Sequence, residues 1–214
     1  MFAKVYDLLM SDVAYDELLT LIKPYIKPTD LILDAGCGSG YFLKELLLEN
    51  YYALGVDHDD DMLSIAHQRL TEAHLPVRLY THDLRKPLAA QVDIVVSFFD
   101  VMNYFKGVQK VFENIYQALY NDGKFIFDVY KYEVLDLYDG YVEIENDPIS
   151  YEWKILRKDE KLIHKVMVED NEHQVTQYVR KLDTYINLLK ALKFKDIKVI
   201  DGPDIRKHYI IATK

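Results

Sequence analysis

LILDAGCGSG, residues 31–40, is the stretch that decides the fold. A short apolar run, Leu31–Ala35, leads into three glycines that alternate with Cys37 and Ser39, and the amphipathic run YFLKELLLEN (41–50) follows at once. Strand, glycine turn and helix in that order open a parallel α/β unit. Glycines at such a turn let backbone N–H groups approach an anionic or zwitterionic ligand, and the helix N-terminus adds partial positive charge.

Downstream, YALGVD (52–57), VRLYTHD (77–83), DIVVSFF (93–99) and GKFIFDVY (123–130) are short apolar runs of the kind that form strands buried on both faces. Between them DDMLSIAHQRL (60–70) and VQKVFENIYQALY (108–120) place their apolar residues on one helical face, as crossovers require, whereas the link from Asp83 to Asp93 is too short for a helix. Upstream, the first thirty residues have a helical pattern, with Asp12 as a cap, Tyr15, Leu18, Leu19 and Ile22 in helical register, and Pro24 and Pro28 ending it. Beyond Tyr130 the period changes to two. VEIEN (142–146), ISYEWKIL (149–156), LIHKVMVE (162–169) and QVTQYVR (174–180) predict an inserted antiparallel sheet, followed by a helix over 182–194 and strands over 196–202 and 208–214.

A chain of 214 residues is long enough for one well-buried domain, and half of it is apolar with 29% charged, which excludes disorder. Cys37 is the only cysteine, so neither an intrachain disulfide nor a cysteine-based zinc site is available. A net charge of -9 disfavours a broad phosphate-binding surface and hence a nucleic-acid partner. No apolar run approaches the roughly 20 residues of a membrane span, and MFAKVYDLLMSD lacks the order of a signal peptide, so a cytoplasmic location is the expectation.

The glycine turn acquires meaning from its partners. Asp57 closes the next strand about twenty residues on, where a carboxylate either accepts hydrogen bonds from both hydroxyls of a ribose or caps the helix starting near Asp59. A nicotinamide fingerprint, G-x-G-x-x-G, would place its last glycine where Tyr41 stands, and this motif carries Asp34 instead.

Asp34, Gly36, Gly38 and Gly40 match D-x-G-x-G-x-G, and the chain resembles the class I S-adenosylmethionine-dependent methyltransferases. That resemblance implies an α/β fold with a Rossmann-like seven-stranded, mostly parallel sheet, helices on both faces and the last strand antiparallel, here with the small antiparallel sheet inserted. It implies S-adenosylmethionine as cofactor, with Asp34, Gly36, Cys37 and Gly38 at the turn, Asp57 and His58 at the ribose, and Met62 as an apolar wall for adenine. Asp83 and Leu84 in HDL (82–84) then stand by the adenine amino group and ring, and Phe98 in SFFDVMNYF (97–105) by the methionine end. YDLLMSDVAYDEL (6–18) and the insert are most similar to small-molecule and glycine N-methyltransferase-like members, including an uncharacterised bacterial group, in which an N-terminal helix covers the cofactor. Tyr6 and Tyr15 are the lid candidates. The expected organisation is one domain over 1–214, with a helical lid over 1–29 and the insert over 131–181.

A sulfonium methyl is already activated, so the enzyme chiefly has to align an acceptor lone pair and exclude water. The implied function is methyl transfer to N or O of a small molecule by a monomer or homodimer, with no metal and no assigned catalytic base. Asp100, Asn103, Tyr104 and Tyr130 follow the fourth and fifth strands at the crevice and are the substrate-side candidates. Two other readings stay open: a methyltransferase of RNA or protein, and a cofactor-binding protein without enzymatic activity. Against RNA stand the absence of an NPPY-like tetrapeptide and of a basic cluster larger than the pairs Arg85-Lys86 and Arg180-Lys181. Several candidates have bland roles too. Met62 falls in an apolar stripe with Ile65, Ala66 and Leu70; Cys37 needs only to be small; and His164 alternates with Leu162, Val166 and Val168 as a structural histidine would.

Overall fold

The computed structural model describes residues 2–147 and 149–214. Helices α1 (Phe2–Leu9) and α2 (Tyr15–Ile22) precede β1 (Leu31–Ala35), α3 (Tyr41–Leu48), β2 (Tyr52–Asp57), α4 (Asp60–Glu72), β3 (Leu79–Thr81) and β4 (Val92–Ser97). A 3-10 turn, Val101–Tyr104, leads to α5 (Gln109–Ala118), β5 (Leu119–Tyr130) and a short α6 (Val134–Leu137). Then come β6 (Val142–Glu145), β7 (Tyr151–Lys158), β8 (Lys161–Val168), β9 (Asn171–Tyr178), α7 (Leu182–Ala191), β10 (Lys195–Ile200) and β11 (Lys207–Thr213).

Seven strands form one sheet in the order β10-β11-β5-β4-β1-β2-β3, parallel except that β11 runs antiparallel to both neighbours. The order reverses beside β1, so the crevice at the carboxyl ends of β1 and β4 is where this topology places a ligand. Strand alternation distributes the core to two faces. Leu33, Val95, Phe125, Phe127 and Ile210 pack with Phe112, Ile115, Tyr185 and Leu189 of α5 and α7. Ile32, Ile94, Val96, Ile126 and Ile211 pack with Leu19, Ile22, Phe42, Leu46 and Leu70 of α2, α3 and α4. The insert is a separate sheet, β6-β7-β8-β9, whose Ile155 and Leu162 bury against Tyr130, Val134 and Leu135. None of the helices among the described residues is long and apolar enough to cross a membrane.

The departures from the sequence expectation have local causes. The N-terminal segment is two helices rather than one, and Ala14, not Asp12, stands at the start of α2 without a side-chain cap. Strand β3 covers three residues of the seven expected, because it is the sheet edge and pairs only with β2. Strand β5 starts at Leu119, four residues early, by pairing Leu119 with Val92 ahead of a register shift.

Candidate cofactor and acceptor site

Strands β1 and β2 end side by side, and the chain turns over the end of β2: the N–H groups of Gly36 and Cys37 both donate to Val56 O, at 2.8 and 3.0 Å. The glycines differ in what they do. A Cβ on Gly36 would lie 2.8 Å from Val101 and one on Gly40 2.9 Å from Ala66, so those two are required by packing. Gly38 has φ +52°, and a Cβ there would meet nothing within 4 Å. The left-handed backbone asks for glycine at this position, and its open face leaves room for a ligand. Gly38→Ala is therefore expected to fold, at a strain of about 1 kcal/mol, yet to lose cofactor affinity. Thermal melting and calorimetry on the same sample check this; normal binding by the alanine variant would move the ligand away from the turn.

Asp57 Oδ2 accepts from the Gly38 N–H at 2.8 Å, and its Oδ1 from the Asp59 N–H at 3.0 Å, with His58 Nδ1 at 3.3 Å. An ionised carboxylate has about four lone-pair sites, so the two remaining can take a diol. The competing cap role belongs to Asp59, whose Oδ1 accepts from the N–H groups of Asp61 and Met62 at 2.9 and 3.1 Å. Met62 is buried on the first turn of that helix.

Below the turn Asp34 is buried, and its Oδ2 has no hydrogen-bond partner. Burial pushes its pKa up to about 8, and the charge of Asp57 adds to the rise. An orphaned buried carboxyl beside an open glycine cradle fits the donor end of a zwitterion, and Asp57 above it fits a ribose. The sign of the Asp34 shift gives a stability prediction. With its folded pKa above the unfolded value, the carboxyl holds a proton only in the folded state between pH 4 and 8, so its contribution is full below about 4 and is lost as pH rises toward 8. Asp34→Asn should match wild type in ligand-free melting near pH 4 and exceed it increasingly up to pH 8; a constant difference would contradict the assignment.

Other nucleotide-side candidates are engaged within the protein. Asp83 grips Arg85, which donates from Nε at 2.9 and 3.0 Å and from Nη2 at 2.7 Å, and this pairing lowers the carboxyl to about 2. Leu84 is buried, and its carbonyl accepts from Asn114 Nδ2 at 3.0 Å. The Phe98 ring packs edge-on against Phe42 at 5.0 Å, inside the core rather than facing the crevice. Burial raises the Cys37 thiol well above its usual range, which leaves it a small inert filler.

Sequence reasoning missed the clamp that joins α1 to the turn. Arg69 Nη2 donates to Asp7 Oδ1 at 2.5 Å and its Nε to Ser39 O at 2.9 Å, with the guanidinium 3.5 Å from the centre of the Tyr41 ring. Tyr15 stacks on the same ring at 5.0 Å. Tyr6, from α1, hydrogen-bonds Tyr104 and lies in the field of Asp100 and Lys207.

The candidate acceptor side is built on a strained turn. Phe99 and Asp100 are consecutive non-glycine residues with φ of 62° and 54°, and their N–H groups both donate to Asp128, at 3.0 and 2.6 Å. Lys207 Nζ reaches Asp100 Oδ1 at 2.7 Å and Asp128 Oδ2 at 3.2 Å. All three side chains are buried. Burial opposes the lysine charge, but the two carboxylates hold it protonated far beyond the usual range. Neither Asp128 nor Lys207 was a sequence candidate, although an acid in the apolar strand FIFDVY was the available signal, since a buried charge requires a partner. Tyr104 is partly exposed, and burial pushes both its hydroxyl and that of Tyr130 above the ordinary tyrosine range. Asn103 is fully buried: its Nδ2 donates to Tyr178 O at 2.9 Å and its Oδ1 accepts from the Tyr130 N–H at 3.1 Å. It braces the turn against β9 and β5.

Residues 32–123 match the model of a methyltransferase domain. Two bacterial relatives, both provisionally named methyltransferases, are each 30% identical to the chain. YqeM of Bacillus subtilis (strain 168) aligns over 72% of this chain and 64% of its own length, and a protein of Geobacillus sp. (strain WCH70) over 84% and 74%. The chain thus spans a little under two thirds of YqeM. The turn, the paired acids and the sheet order agree with these matches: the chain belongs to the class I S-adenosylmethionine-dependent methyltransferases. Its fold is shared with an S-adenosylmethionine-dependent methyltransferase from Clostridium acetobutylicum ATCC 824, at TM-score 0.79 and 20% identity over 99% of this chain and 97% of that one. It is shared equally with the sugar N-methyltransferase KedS8 from Streptoalloteichus sp ATCC 53650, at TM-score 0.79 and 14% identity over 100% and 92%. S-adenosylmethionine is the cofactor, and the orphaned Asp34 carboxyl and the open face of Gly38 fit it.

Proposed function

We propose that this chain transfers the methyl group of S-adenosylmethionine to a nitrogen of a small amine-bearing molecule. The observation that carries the reading is the charge balance under the acceptor side: two buried carboxylates, Asp100 and Asp128, share one ammonium, Lys207. Burial raises the Asp128 pKa, while the Phe99 and Asp100 N–H groups and the Lys207 ammonium all donate to its carboxyl and work against that rise, so the site sets two carboxyl groups against one ammonium in a low-dielectric setting. A nitrogen acceptor gains positive charge as the methyl arrives, and such a site stabilises that charge as it develops. An oxygen acceptor would have to shed a proton and approach as an anion against the same field. The fold shared with a sugar N-methyltransferase supports a small acceptor of this kind.

In the same reading Asp57 holds the ribose, Asp34 and the open face of Gly38 the methionine end, and Met62, Asp83 and Leu84 the adenine. Asp83 then either leaves Arg85 or serves through a free lone pair. Helices α1 and α2 form the lid, with Arg69 clamping Asp7 over the glycine turn and Val5 buried against Tyr151, Val166 and Val168 of the insert. Tyr6 and Tyr104 close the acceptor pocket above Asp100.

The test is transfer of labelled methyl from S-adenosylmethionine into separated fractions of small amines, other metabolites, RNA and protein. Label is expected in the small amines. Label confined to RNA or protein would overturn the reading, and label on acids or alcohols alone would overturn the choice of nitrogen.

A further inference from the structure

The insert reaches the acceptor side through one continuous run of side-chain hydrogen bonds. Trp153 on β7 donates its indole N–H to His164 Nδ1 on β8 at 3.2 Å, and His164 Nε2 meets Gln177 Oε1 on β9 at 2.8 Å. Gln177 Nε2 in turn donates to Asp100 Oδ2. His164, Gln177 and Asp100 are all at least nine-tenths buried.

The direction of each link is fixed from one end. An indole nitrogen can only donate, so His164 Nδ1 is an acceptor and the imidazole carries its proton on Nε2. Nε2–H then selects the oxygen of Gln177, which turns the NH2 group toward Asp100. Without His164 the glutamine amide could rotate and set its oxygen against the Asp100 carboxylate, two acceptors facing each other in a buried site.

We infer that His164 and Gln177 are positioning residues for methyl transfer: they fix the direction of the Asp100 carboxylate, so the acceptor geometry depends on the inserted sheet. The inference rests on the reading of this crevice as the acceptor site. Among the described residues none of the side chains in this run hydrogen-bonds the glycine turn, Asp57 or Asp83, so its loss should spare the cofactor.

Protonation of His164 puts a second donor against the Trp153 N–H and breaks the first link. The imidazole faces Trp153 from β7 and Gln177 from β9, and the charge that reaches it is that of Asp100. Burial lowers its pKa, which places the break on the acid side of the ordinary histidine value of about 6.5. Trp153 is the only tryptophan, so its emission reports this link alone.

Two measurements test the proposal. In the first, tryptophan emission is followed against pH, a protonated imidazole being the quencher. Wild type should show one step below about pH 6.5, His164→Gln should lack it, and Asp100→Asn should move it to lower pH by removing the charge that favours the imidazolium. An identical step in wild type and Asp100→Asn would overturn the connection. In the second, His164→Leu and Gln177→Leu should each cut labelled-methyl transfer into the small-amine fraction about tenfold with unchanged affinity for S-adenosylhomocysteine. The double variant should fall no further, and His164→Gln, whose amide can accept from Trp153 and donate to Gln177, should keep most of the activity. Additive losses, or a matching loss of cofactor-product affinity, would reduce the chain to a structural role. If wild type labels no amine at all, the functional reading fails while the emission step still decides the wiring.

Discussion

Asp57→Ala is expected to weaken binding of S-adenosylhomocysteine at least about 100-fold. Two losses combine. The substitution removes the acceptor proposed for the ribose hydroxyls, and it frees the Gly38 N–H, which the carboxylate now holds at 2.8 Å to shape the turn. Hydrogen bonds to a charged group contribute roughly 1.5–3 kcal/mol each, and 1.4 kcal/mol is tenfold in affinity, so two such losses reach the predicted range. The fold should survive, because the cap of α4 is Asp59 and not Asp57. Asp57→Asn keeps an oxygen for Gly38 but not the charge, and should fall between the two proteins. Calorimetry at neutral pH measures the effect; unchanged affinity in the alanine variant would remove the ribose assignment.

Lys207→Met should be the most damaging single change to stability. It leaves Asp100 and Asp128 buried without their cation, and breaking a buried pair in this way costs about 3–5 kcal/mol. In a chain of this length that lowers the melting temperature by on the order of 10 °C. The loss should depend on pH. Burial raises the Asp128 pKa even with Lys207 present, and removing the lysine raises it further. A carboxyl with a raised folded pKa is least unfavourable when protonated, so the deficit is largest at neutral pH and shrinks as pH falls toward 4. Melting curves across that window test this; a deficit independent of pH would mean that methionine merely packs badly.

The nucleotide half of the site was legible because its determinants are local. The turn at residues 31–40 and the acid at 57 are fixed by backbone geometry at the ends of adjacent strands, and β1 and β2 begin and end where the apolar runs do. The acceptor half was only partly legible. Asp100, Tyr104 and Tyr130 are candidates by their place after strands, but the partners of Asp100, namely Lys207, Asp128 and Gln177, come from segments 28 to 107 residues away, and no spacing rule joins such positions. Asn103 illustrates the limit: it sits in the right turn, yet its amide is spent on holding Tyr178 and Tyr130. His164 was read as a structural histidine from its alternation with apolar neighbours, and the structure does bury it; what the pattern could not show is that its second nitrogen leads toward Asp100.

Joint binding of S-adenosylmethionine by the glycine turn, Asp34 and Asp57 is the proposal on which the rest depends. Its most direct test is calorimetric titration of the folded protein with S-adenosylhomocysteine, beside the Gly38→Ala and Asp57→Ala variants. Saturable one-to-one binding by wild type, lost in both variants while their melting curves stay cooperative, is the predicted result. No binding by wild type, or binding that survives both substitutions, would contradict it.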